Sequence, residues 1–449
     1  MPPISPNVTL HGAEPGRLEL GLYALTLAMA TGPLDRLIQE KVATDPQRAA
    51  VWALVYLGFG ISILRRPRLL GEALADAWPL FGLPLLAILS ASWSANPHQT
   101  IVGALEMTAA AIFGTVIGRR LPEGRLLTMV VAVLGVLTVA DWWMIAAGPG
   151  AFDINGNAVG LFSHKNMHGQ TMAMACLAAL ATLVWGRHKL PALLGLLLAA
   201  PLLALSGSTT SWIVTAAAGT IIMSFGFHRL SPPTRLATAM LAVAVLCTTA
   251  LIWLAQPIDL EQDFLRATGK DPTLTGRTVL WDLARHYIRQ APVLGCGFNG
   301  FWTKDITSDS AFVDGVMGDD LPHFHNGYLE MAVELGWTGT LIEVATILAF
   351  LRPIRRLIQF GDPAAAAFAG ALLTVVAVGN LSEVVLFVRH GFHLILIGAL
   401  WSRAGLLSQV AVASTGGTVT GNSMTSLGRP ARPLARSQGF RRNPSGEER

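Results

Sequence analysis

Long apolar segments recur along most of this 449-residue chain, and they limit its fold more than any other feature. A helix needs about 20 consecutive apolar residues to cross a hydrocarbon core about 30 Å thick. Hydrophobic residues make up 52% of the chain and charged residues only 13%, whereas soluble domains have about 25% charged residues. The composition excludes a soluble globular protein and predicts an all-α polytopic membrane protein.

The apolar segments predict about twelve transmembrane helices, with some latitude in length for tilt. The predicted spans are 18–37, 49–64, 77–93, 100–118, 126–147, 167–186, 190–206, 209–227, 236–256, 326–351, 364–387 and 391–409. We expect the first span to be retained, because the polar start of the chain has neither the basic stretch nor the cleavage site of a signal peptide.

Every second interval between these spans carries a cluster of basic residues. The clusters comprise Arg65, Arg66 and Arg68, then Arg119, Arg120 and Arg125, then Arg187 and Lys189, then Arg229 and Arg235, and finally Arg352, Arg355 and Arg356. The short intervals of the opposite set hold few basic residues. Because cytoplasmic loops carry an excess of Lys and Arg, this pattern predicts that both termini are cytoplasmic.

This topology divides the chain into five regions. They are a cytoplasmic tail at 1–17, transmembrane helices 1–9 at 18–256, one long extracytoplasmic loop at 257–325, transmembrane helices 10–12 at 326–409 and a disordered cytoplasmic tail at 410–449. Both tails are rich in polar residues and Pro and hold few large apolar residues, a composition typical of disorder.

The long loop contains a predicted amphipathic helix. Its apolar positions, at the i, i+3, i+4 and i+7 spacing of such a helix, are Leu280, Leu283, Ala284, Tyr287 and Ile288. A second stripe, at spacings of four, consists of Arg277, Trp281, Arg285 and Arg289. We expect this helix to lie on the outer face of the membrane and the acidic stretch 303–320 to form a mobile lid.

Four polar stretches fall on the extracytoplasmic side of this topology, and we expect them to form one site. They are 92–99, 148–168, the turn SGSTTS at 206–211 and the loop 257–325. Ionisable residues within or near apolar spans are costly and often functional. This chain has four of them, namely Glu106, Asp141, Glu343 and Glu383.

The segment SHKN (163–166) stands where a predicted span enters the bilayer from outside. Ser163 or Asn166 is predicted to cap this helix, because either side chain can accept from an unpaired N–H group. A helix N-terminus favours an anion, and Lys165 adds a positive charge beside His164. The segment is therefore a candidate for binding an anionic group.

His323, His325 and Asn326 stand immediately before the tenth predicted span, and Asn326 is predicted to cap it. Two histidines at this spacing could chelate a metal, but no third ligand stands at a recognisable spacing in the sequence. The pattern therefore predicts no metal site, and it favours acid–base or hydrogen-bonding roles for the histidines.

Five short motifs follow one another along the chain. They are SHKNMHG (163–169), SGSTTSW (206–212), GRTVLW (276–281), APVLGCGFNGFW (291–302) and HFHNGYLEMAVELGWTG (323–339). In order and spacing they resemble the O-antigen ligase and polysaccharide polymerase superfamily of bacterial inner-membrane proteins. The set looks closest to the exopolysaccharide polymerases of the ExoQ type.

The resemblance implies a glycosyltransferase that needs no metal and no other cofactor. Its donor would be a glycan on undecaprenyl diphosphate, transferred with inversion in the periplasm. Polymerases pass it to a further lipid-linked repeat unit, and ligases pass it to lipid A–core. Matching positions make Arg277 the family's loop arginine and His325 its histidine. Many relatives have an arginine in the turn where this chain has Ser208, Thr209 and Thr210, and Lys165 is the candidate for the missing charge.

The residue types suit this chemistry. Arginine binds phosphate oxygens with bidentate donors, and histidine can take a proton from a sugar hydroxyl near neutral pH. We therefore hypothesise that Arg277 and Lys165 hold the diphosphate and that His325 positions or deprotonates the acceptor hydroxyl. Further substrate-binding candidates are His164, Asn166, Trp281, Arg285, Arg289, His323 and Asn326. We expect Trp281, Phe301 and Trp302 to stack on sugars or to anchor the loop in lipid.

Expected partners are the lipid-linked glycan, membrane lipid and other polysaccharide export and chain-length proteins, with no nucleic acid. An O-antigen ligase is an alternative within the enzyme class. A lipid-linked glycan transporter would need polar residues at mid-depth and repeat symmetry, and a non-enzymatic scaffold would leave the histidine and arginine motifs unexplained. The polar residues concentrate at one face instead, which favours the enzyme.

Overall fold

The computed structural model of the protein describes residues 14–33, 45–122, 124–186, 188–226, 274–302, 308–317 and 323–419. Within these residues the regular structure is helical, and the chain forms no strand beyond one isolated bridge between Phe152 and Ala158. The predicted all-α fold is therefore confirmed for this part of the chain. The predicted ninth span, 236–256, lies outside the described residues.

Most of the described residues belong to α-helices. The earlier ones are α1 (Arg17–Ala30), α2 (Asp45–Leu64), α3 (Pro67–Asp76), α4 (Gly82–Leu89), α5 (Pro97–Arg120), α6 (Arg125–Ala147), α7 (Lys165–Trp185), α8 (Lys189–Leu205) and α9 (Thr209–Phe225). The later ones are α10 (Leu274–Gln290), α11 (Asp309–Met317), α12 (Gly327–Ala349), α13 (Leu351–Gln359), α14 (Pro363–Gly379) and α15 (Phe392–Val419). Short 3-10 helices stand at Trp78–Phe81, Ser90–Ser92 and Pro149–Ala151.

Among the described helices, α5, α6, α7 and α15 are each long and apolar enough to cross a membrane. A fifth span is possible if α3 and the segment 78–92, which are bent by 90° relative to one another, count as one broken span. The helices α8, α9 and α14 are apolar but shorter. The protein is therefore a multi-pass membrane protein, and the predicted number of twelve spans stays a prediction.

Among the predicted spans, 77–93 and 326–351 are interrupted in their interior. The segment 77–93 contains 3-10 helices on both sides of α4 and follows the 90° bend. The segment 326–351 corresponds to α12, which is interrupted at Gly336 with φ 66° and ψ −170°. Glycine tolerates this left-handed conformation because it has no Cβ atom.

The loop segment 292–297 explains the break in α12. The Trp337 backbone N–H, which lost its helical partner at the break, donates to the Pro292 carbonyl at 2.8 Å. A Cβ atom at Gly336 would lie 2.3 Å from the Val293 backbone carbonyl, so the loop can approach only a glycine. Irregular backbone in a membrane protein is tolerated where other protein groups satisfy it, and this loop segment supplies those groups.

Helices α5 and α15 pack with their backbones in contact. A Cβ atom at Gly114 would lie 2.2 Å from the Ile395 carbonyl oxygen, and one at Gly118 would lie 2.0 Å from that of Ala399. Small residues permit such close packing of membrane helices. This contact fixes α15 and, with it, the loop 380–391 that leads into α15.

A separate apolar cluster lies beneath the loop helix α10. Its buried members are Leu280, Ala284, Ile288, Phe301, Val313, Phe324, Ala332 and Val333. Val313 belongs to α11, so part of the stretch predicted to be a mobile lid is a packed helix. Phe301 is only 5% exposed, so the expectation that it touches sugar or lipid is wrong.

A buried pair of polar side chains joins α6 to α7. Asp141 and His168 are both fully buried, with His168 Nε2 2.7 Å from Asp141 Oδ2. His168 Nδ1 lies 2.8 Å from the Ala158 carbonyl oxygen, which can only accept, so Nδ1 carries a hydrogen. Because Asp141 Oδ1 also accepts from the Leu161 N–H at 2.8 Å, the pair holds the loop that precedes the SHKN segment.

Asp141→Ala is expected to lower the melting temperature of the full-length protein in detergent. It leaves the buried Leu161 N–H and the Nε2 atom of His168 without their Asp141 partner, and each unmet buried group costs about 1–3 kcal/mol. Asp141→Asn is the matched control, because its amide can accept from Leu161 and donate to His168 Nε2. Equal melting temperatures for Asp141→Ala and the wild type would contradict this role.

Candidate active site

Glu383 is the side chain around which the candidate active site is built. It lies in the loop 380–391 between α14 and α15 and is 4% exposed. Its Oε1 accepts from Arg277 Nη2 at 3.0 Å and from Asn166 Nδ2 at 2.5 Å. Its Oε2 lies 3.2 Å from His325 Nδ1. The structure thus brings Arg277 and His325, the two predicted catalytic residues, to opposite oxygens of one carboxylate.

Three separate parts of the chain deliver these partners. Asn166 stands at the start of α7, Arg277 in the first turn of α10, and His325 two residues before α12. Arg277 Nη1 also donates to the Ser382 carbonyl at 3.1 Å, so the guanidinium holds the loop at two points. The SHKN segment and the two ends of the long loop therefore meet, and they meet at a fourth segment that the predicted site did not include.

The environment of Glu383 keeps it ionised. Burial raises the pKa of Glu383, but the hydrogen bond from His325 and the charges of His325, His323 and Arg277 outweigh burial, so this pKa lies below its usual value. An ionised carboxylate can only accept hydrogen bonds, so Nδ1 of His325 carries the hydrogen. In the neutral imidazole, Nε2 then holds a lone pair that can accept a proton.

His323 lies against His325 and is neutral near pH 7. The two ring centroids are 4.4 Å apart, and His323 Nε2 is 4.0 Å from Glu383 Oε2. Burial, and then the neighbouring charge of His325, lower the pKa of His323 to about 4. Its Nδ1 accepts from the His325 backbone N–H at 3.1 Å, so His323 also supports the loop.

Asn326 caps α12, as the sequence predicts. Its Oδ1 accepts from the N–H groups of Tyr328 and Leu329, both at 3.1 Å. Its Nδ2 donates to the Leu381 carbonyl at 3.1 Å. The side chain therefore ties the start of α12 to the loop 380–391, which gives it a supporting role beside the site.

The cap of α7 differs from the prediction. His164 Nδ1 accepts from the Asn166 N–H at 3.2 Å and caps the helix, so neither Ser163 nor Asn166 is the cap. The Asn166 side chain is therefore available for its bond to Glu383. His164 is close enough to the cluster for the charges of Glu383 and His325 to act on its pKa, which burial lowers.

Lys165 is the first residue of α7 and lies close to Asp153. Burial raises the pKa of Asp153, but hydrogen bonds from Asn157 and Asn155 and the charge of Lys165 outweigh it and lower that pKa. The positive charge of Lys165 is thus partly balanced by a carboxylate at the edge of the site.

The arginines of the predicted stripe separate along α10. Arg277 contacts Glu383, whereas Arg285 pairs with Asp282, and both Arg285 and Arg289 are exposed. Residues spaced by four rotate by about 40° and rise by about 6 Å per step, so Arg289 lies about 18 Å along the helix axis from Arg277. One diphosphate therefore cannot contact all three arginines.

The tryptophans of the loop make internal hydrogen bonds. Trp281 Nε1 donates to the Phe324 carbonyl at 3.0 Å, and Trp302 Nε1 donates to Glu330 Oε1 at 2.7 Å. The ring of Trp302 packs on that of Phe324, with centroids 4.8 Å apart. The structure thus gives Trp302 an internal role that differs from the expected stacking on sugar or anchoring in lipid.

A contact between two hydroxyl groups joins the turn 206–211 to the loop that carries Glu383. Ser382 Oγ donates to Thr210 Oγ1 at 3.1 Å. Ser208 instead caps α9, and its Oγ lies 2.9 Å from Ser211 Oγ. The turn therefore contacts the loop that carries Glu383.

His323, His325 and Glu383 offer three ligand atoms within 4.8 Å of one another. Glu383 thus supplies a third ligand that stands at no recognisable spacing in the sequence, and the absence of a metal site stays a prediction. Two imidazoles and a carboxylate suit a transition metal in type. However, the Glu383 carboxylate already accepts hydrogen bonds from the Arg277 guanidinium and the His325 N–H, which stabilise its negative charge.

Sequence reasoning singles out Glu383 only as a carboxylate in an apolar stretch. The span predicted at 364–387 ends as a helix at Gly379, so Glu383 stands in a loop and not within a helix. The signal that could identify it is a charged residue within an apolar segment. Such a residue is unfavourable in free energy unless it has partners of opposite charge.

Comparisons with known proteins cover much of this site. A family model described as O-Antigen ligase matches residues 193–344, a range that includes Arg277 and His325 and ends before Glu383. The Exopolysaccharide production protein ExoQ of Rhizobium meliloti (strain 1021) is 27% identical in an alignment of 359 residues that covers 77% of this chain and 79% of that protein. Both comparisons support the resemblance that the motifs indicate, and the chain is similar over most of its length to a protein of the ExoQ type.

Proposed function

We propose that the protein is a glycosyltransferase that polymerises undecaprenyl-diphosphate-linked oligosaccharide repeat units into exopolysaccharide. The reaction takes place at the periplasmic face of the bacterial inner membrane, inverts the anomeric centre and uses no metal ion. The observation that carries the proposal is the shared carboxylate of Glu383, which sets a phosphate-binding arginine beside a proton-accepting histidine. The similarity to an exopolysaccharide production protein supports a polymer as the product.

Arg277 is the proposed ligand of the donor diphosphate. Its side chain is 26% exposed, and its bonds to Glu383 and Ser382 use only part of the five N–H donors of a guanidinium. The others can bind phosphate oxygens and stabilise the charge that develops on the leaving diphosphate. The N-terminus of α7, with Lys165 as its first residue, favours the same anion.

His325 is the proposed base for the acceptor. Its Nε2 takes the proton of the acceptor hydroxyl while that oxygen bonds to the anomeric carbon and the bond from this carbon to the diphosphate breaks. Attack opposite the leaving group inverts the centre. Glu383 holds Nδ1–H at 3.2 Å and stabilises the imidazolium that forms, while Asn166 and Arg277 hold its other oxygen.

We propose twelve spans and cytoplasmic termini from the sequence pattern, and the two ends of α5 support the periplasmic placement of the site. Next to its start, the Ala95 N–H donates to the Cys296 carbonyl in the long loop at 3.3 Å. At its other end, Arg119 and Arg120 are buried in ion pairs with acidic residues. Because basic clusters favour the cytoplasmic side, the end of α5 near the site belongs on the periplasmic side.

An O-antigen ligase, which passes the lipid-linked glycan to lipid A–core, is the second candidate. The description of the family model that matches residues 193–344 favours it. Both reactions share the donor and the roles of Arg277 and His325, and they differ in the acceptor. In either case membrane lipid and proteins of polysaccharide export and chain-length control are the proposed partners.

The purified full-length protein is expected to convert the lipid-linked repeat unit that accumulates in a strain lacking it into a ladder of lipid-linked polymers. The ladder should form in EDTA. A single transfer to added lipid A–core without a ladder would identify a ligase instead. No transfer to either acceptor by folded protein would contradict the proposal. Loss of activity in EDTA, restored by a transition metal, would contradict the metal-free reaction.

Arg277→Lys is expected to slow polymerisation by about 100-fold or more, because a point charge does not replace the planar fork at a transition state. His325→Ala should also slow polymerisation by about 100-fold or more, because it removes the proton acceptor. Arg285→Ala, on the exposed part of the same helix, is the matched control and should retain activity. Chain-length analysis at equal protein level measures all three, and normal polymer from Arg277→Lys or His325→Ala would refute the assigned role.

Glu383→Gln tests the ionised carboxylate through the pH dependence of stability. Because the pKa of Glu383 is lower in the folded protein than its usual 4.5, its stabilising charge is fully present above that pH and is lost as pH falls through the folded pKa. We therefore expect the unfolding free energy of the wild type to exceed that of Glu383→Gln by a constant amount above about pH 5 and by less below it. A difference that does not vary with pH would contradict an ionised Glu383.

A further inference from the structure

The backbone of Phe324, between the two histidines, is held from both sides. Its N–H donates to Glu330 Oε2 at 2.7 Å, and its carbonyl accepts from Trp281 Nε1 at 3.0 Å. The other carboxylate oxygen of Glu330 accepts from Trp302 Nε1 at 2.7 Å. The Phe324 ring is fully buried between Phe301 and Trp302. The two peptide units that flank the Phe324 Cα atom are therefore each fixed by one side-chain hydrogen bond, and the ring between them is buried.

His325, the next residue, requires such support. Its φ is +48°, in the left-handed region that residues with a Cβ atom rarely adopt. A residue in that region persists only where its surroundings determine the backbone. The conformation turns the His325 ring toward Glu383, so the support of Phe324 bears directly on the position of the proposed base.

The group at position 330 must offer two acceptors. Both of its partners, the Phe324 amide and the Trp302 indole, are N–H donors that cannot accept. A glutamate carboxylate satisfies both. A glutamine of the same shape offers one carbonyl oxygen, and its NH₂ group would face the second N–H. Glu330 is only 6% exposed, so water cannot readily satisfy the N–H group that the glutamine leaves unpaired.

We propose that Glu330, Trp302 and Trp281 act as positioning residues that set the place of His325 by clamping the Phe324 backbone. Each of three sequence motifs supplies one of them: GRTVLW supplies Trp281, APVLGCGFNGFW supplies Trp302 and HFHNGYLE supplies Glu330. The clamp links these motifs physically through the Phe324 backbone. Only the kinetic consequence rests on the proposed glycosyl transfer.

Glu330→Gln, Trp302→Phe and the double variant test the clamp in the full-length protein. Glu330→Gln should speed hydrogen exchange at the Phe324 amide and shift the His325 ring signals in nitrogen-15 histidine spectra. It should also lower kcat by about 10- to 100-fold with little change in KM. Adding Trp302→Phe removes the second donor, lets the glutamine oxygen turn to Phe324, and should restore slow exchange, the ring signals and much of kcat.

Trp337→Phe is the control for the aromatic substitution, because Trp337 lies on the same α12 and is 52% exposed; it should leave all three readouts unchanged. Wild-type exchange at Phe324 and wild-type His325 signals in Glu330→Gln would overturn the proposal. So would a double variant that is as impaired as Glu330→Gln or worse, since that indicates a general loss of structure. If the wild type makes no polymer, the proposed function fails, while the exchange and ring signals still decide the clamp.

Discussion

A buried carboxylate is costly unless its charge is matched by nearby donors, and Glu383 meets this condition with groups from distant parts of the chain. Arg277, Asn166 and His325 come from α10, α7 and the segment before α12. The loop 380–391 therefore reaches its observed place only when all three segments are packed. The same contacts set an arginine and a histidine on one group, so the requirement to match a buried charge also assembles the proposed chemistry.

The irregular backbone around the site depends on comparable matching. The helix α12 breaks at Gly336 because segment 292–297 docks there and supplies hydrogen bonds, and α15 carries the Glu383 loop because Gly114 and Gly118 allow close packing. Apolar periodicity cannot predict such a break, since Leu335 and Trp337 beside Gly336 are both apolar and the partner segment stands about forty residues earlier in the chain. The long span at 126–147, by contrast, is observed as α6 almost residue for residue, because an uninterrupted apolar segment of that length has few other solutions.

The candidate site also has residues that the sequence predicts and residues that it does not. Arg277 and His325 could be predicted from residue type and motif, and the structure brings them together. Glu383 could not be assigned to them, because its contacts span 58 to 217 residues of sequence, and only tertiary packing brings those residues into contact. Local competition also decides details that a sequence pattern leaves open: the His164 ring caps α7, which releases the Asn166 amide for the carboxylate.

The central claim is that Glu383 acts through His325 as one catalytic unit, and a double-mutant cycle in kcat tests it most directly. Residues that act as a unit are strongly non-additive. The wild type, Glu383→Gln, His325→Ala and the double variant would be compared on the same lipid-linked repeat unit at equal amounts of folded protein. The account predicts that the double variant is nearly as active as His325→Ala alone. A loss in the double variant equal to the product of the two single losses would contradict it.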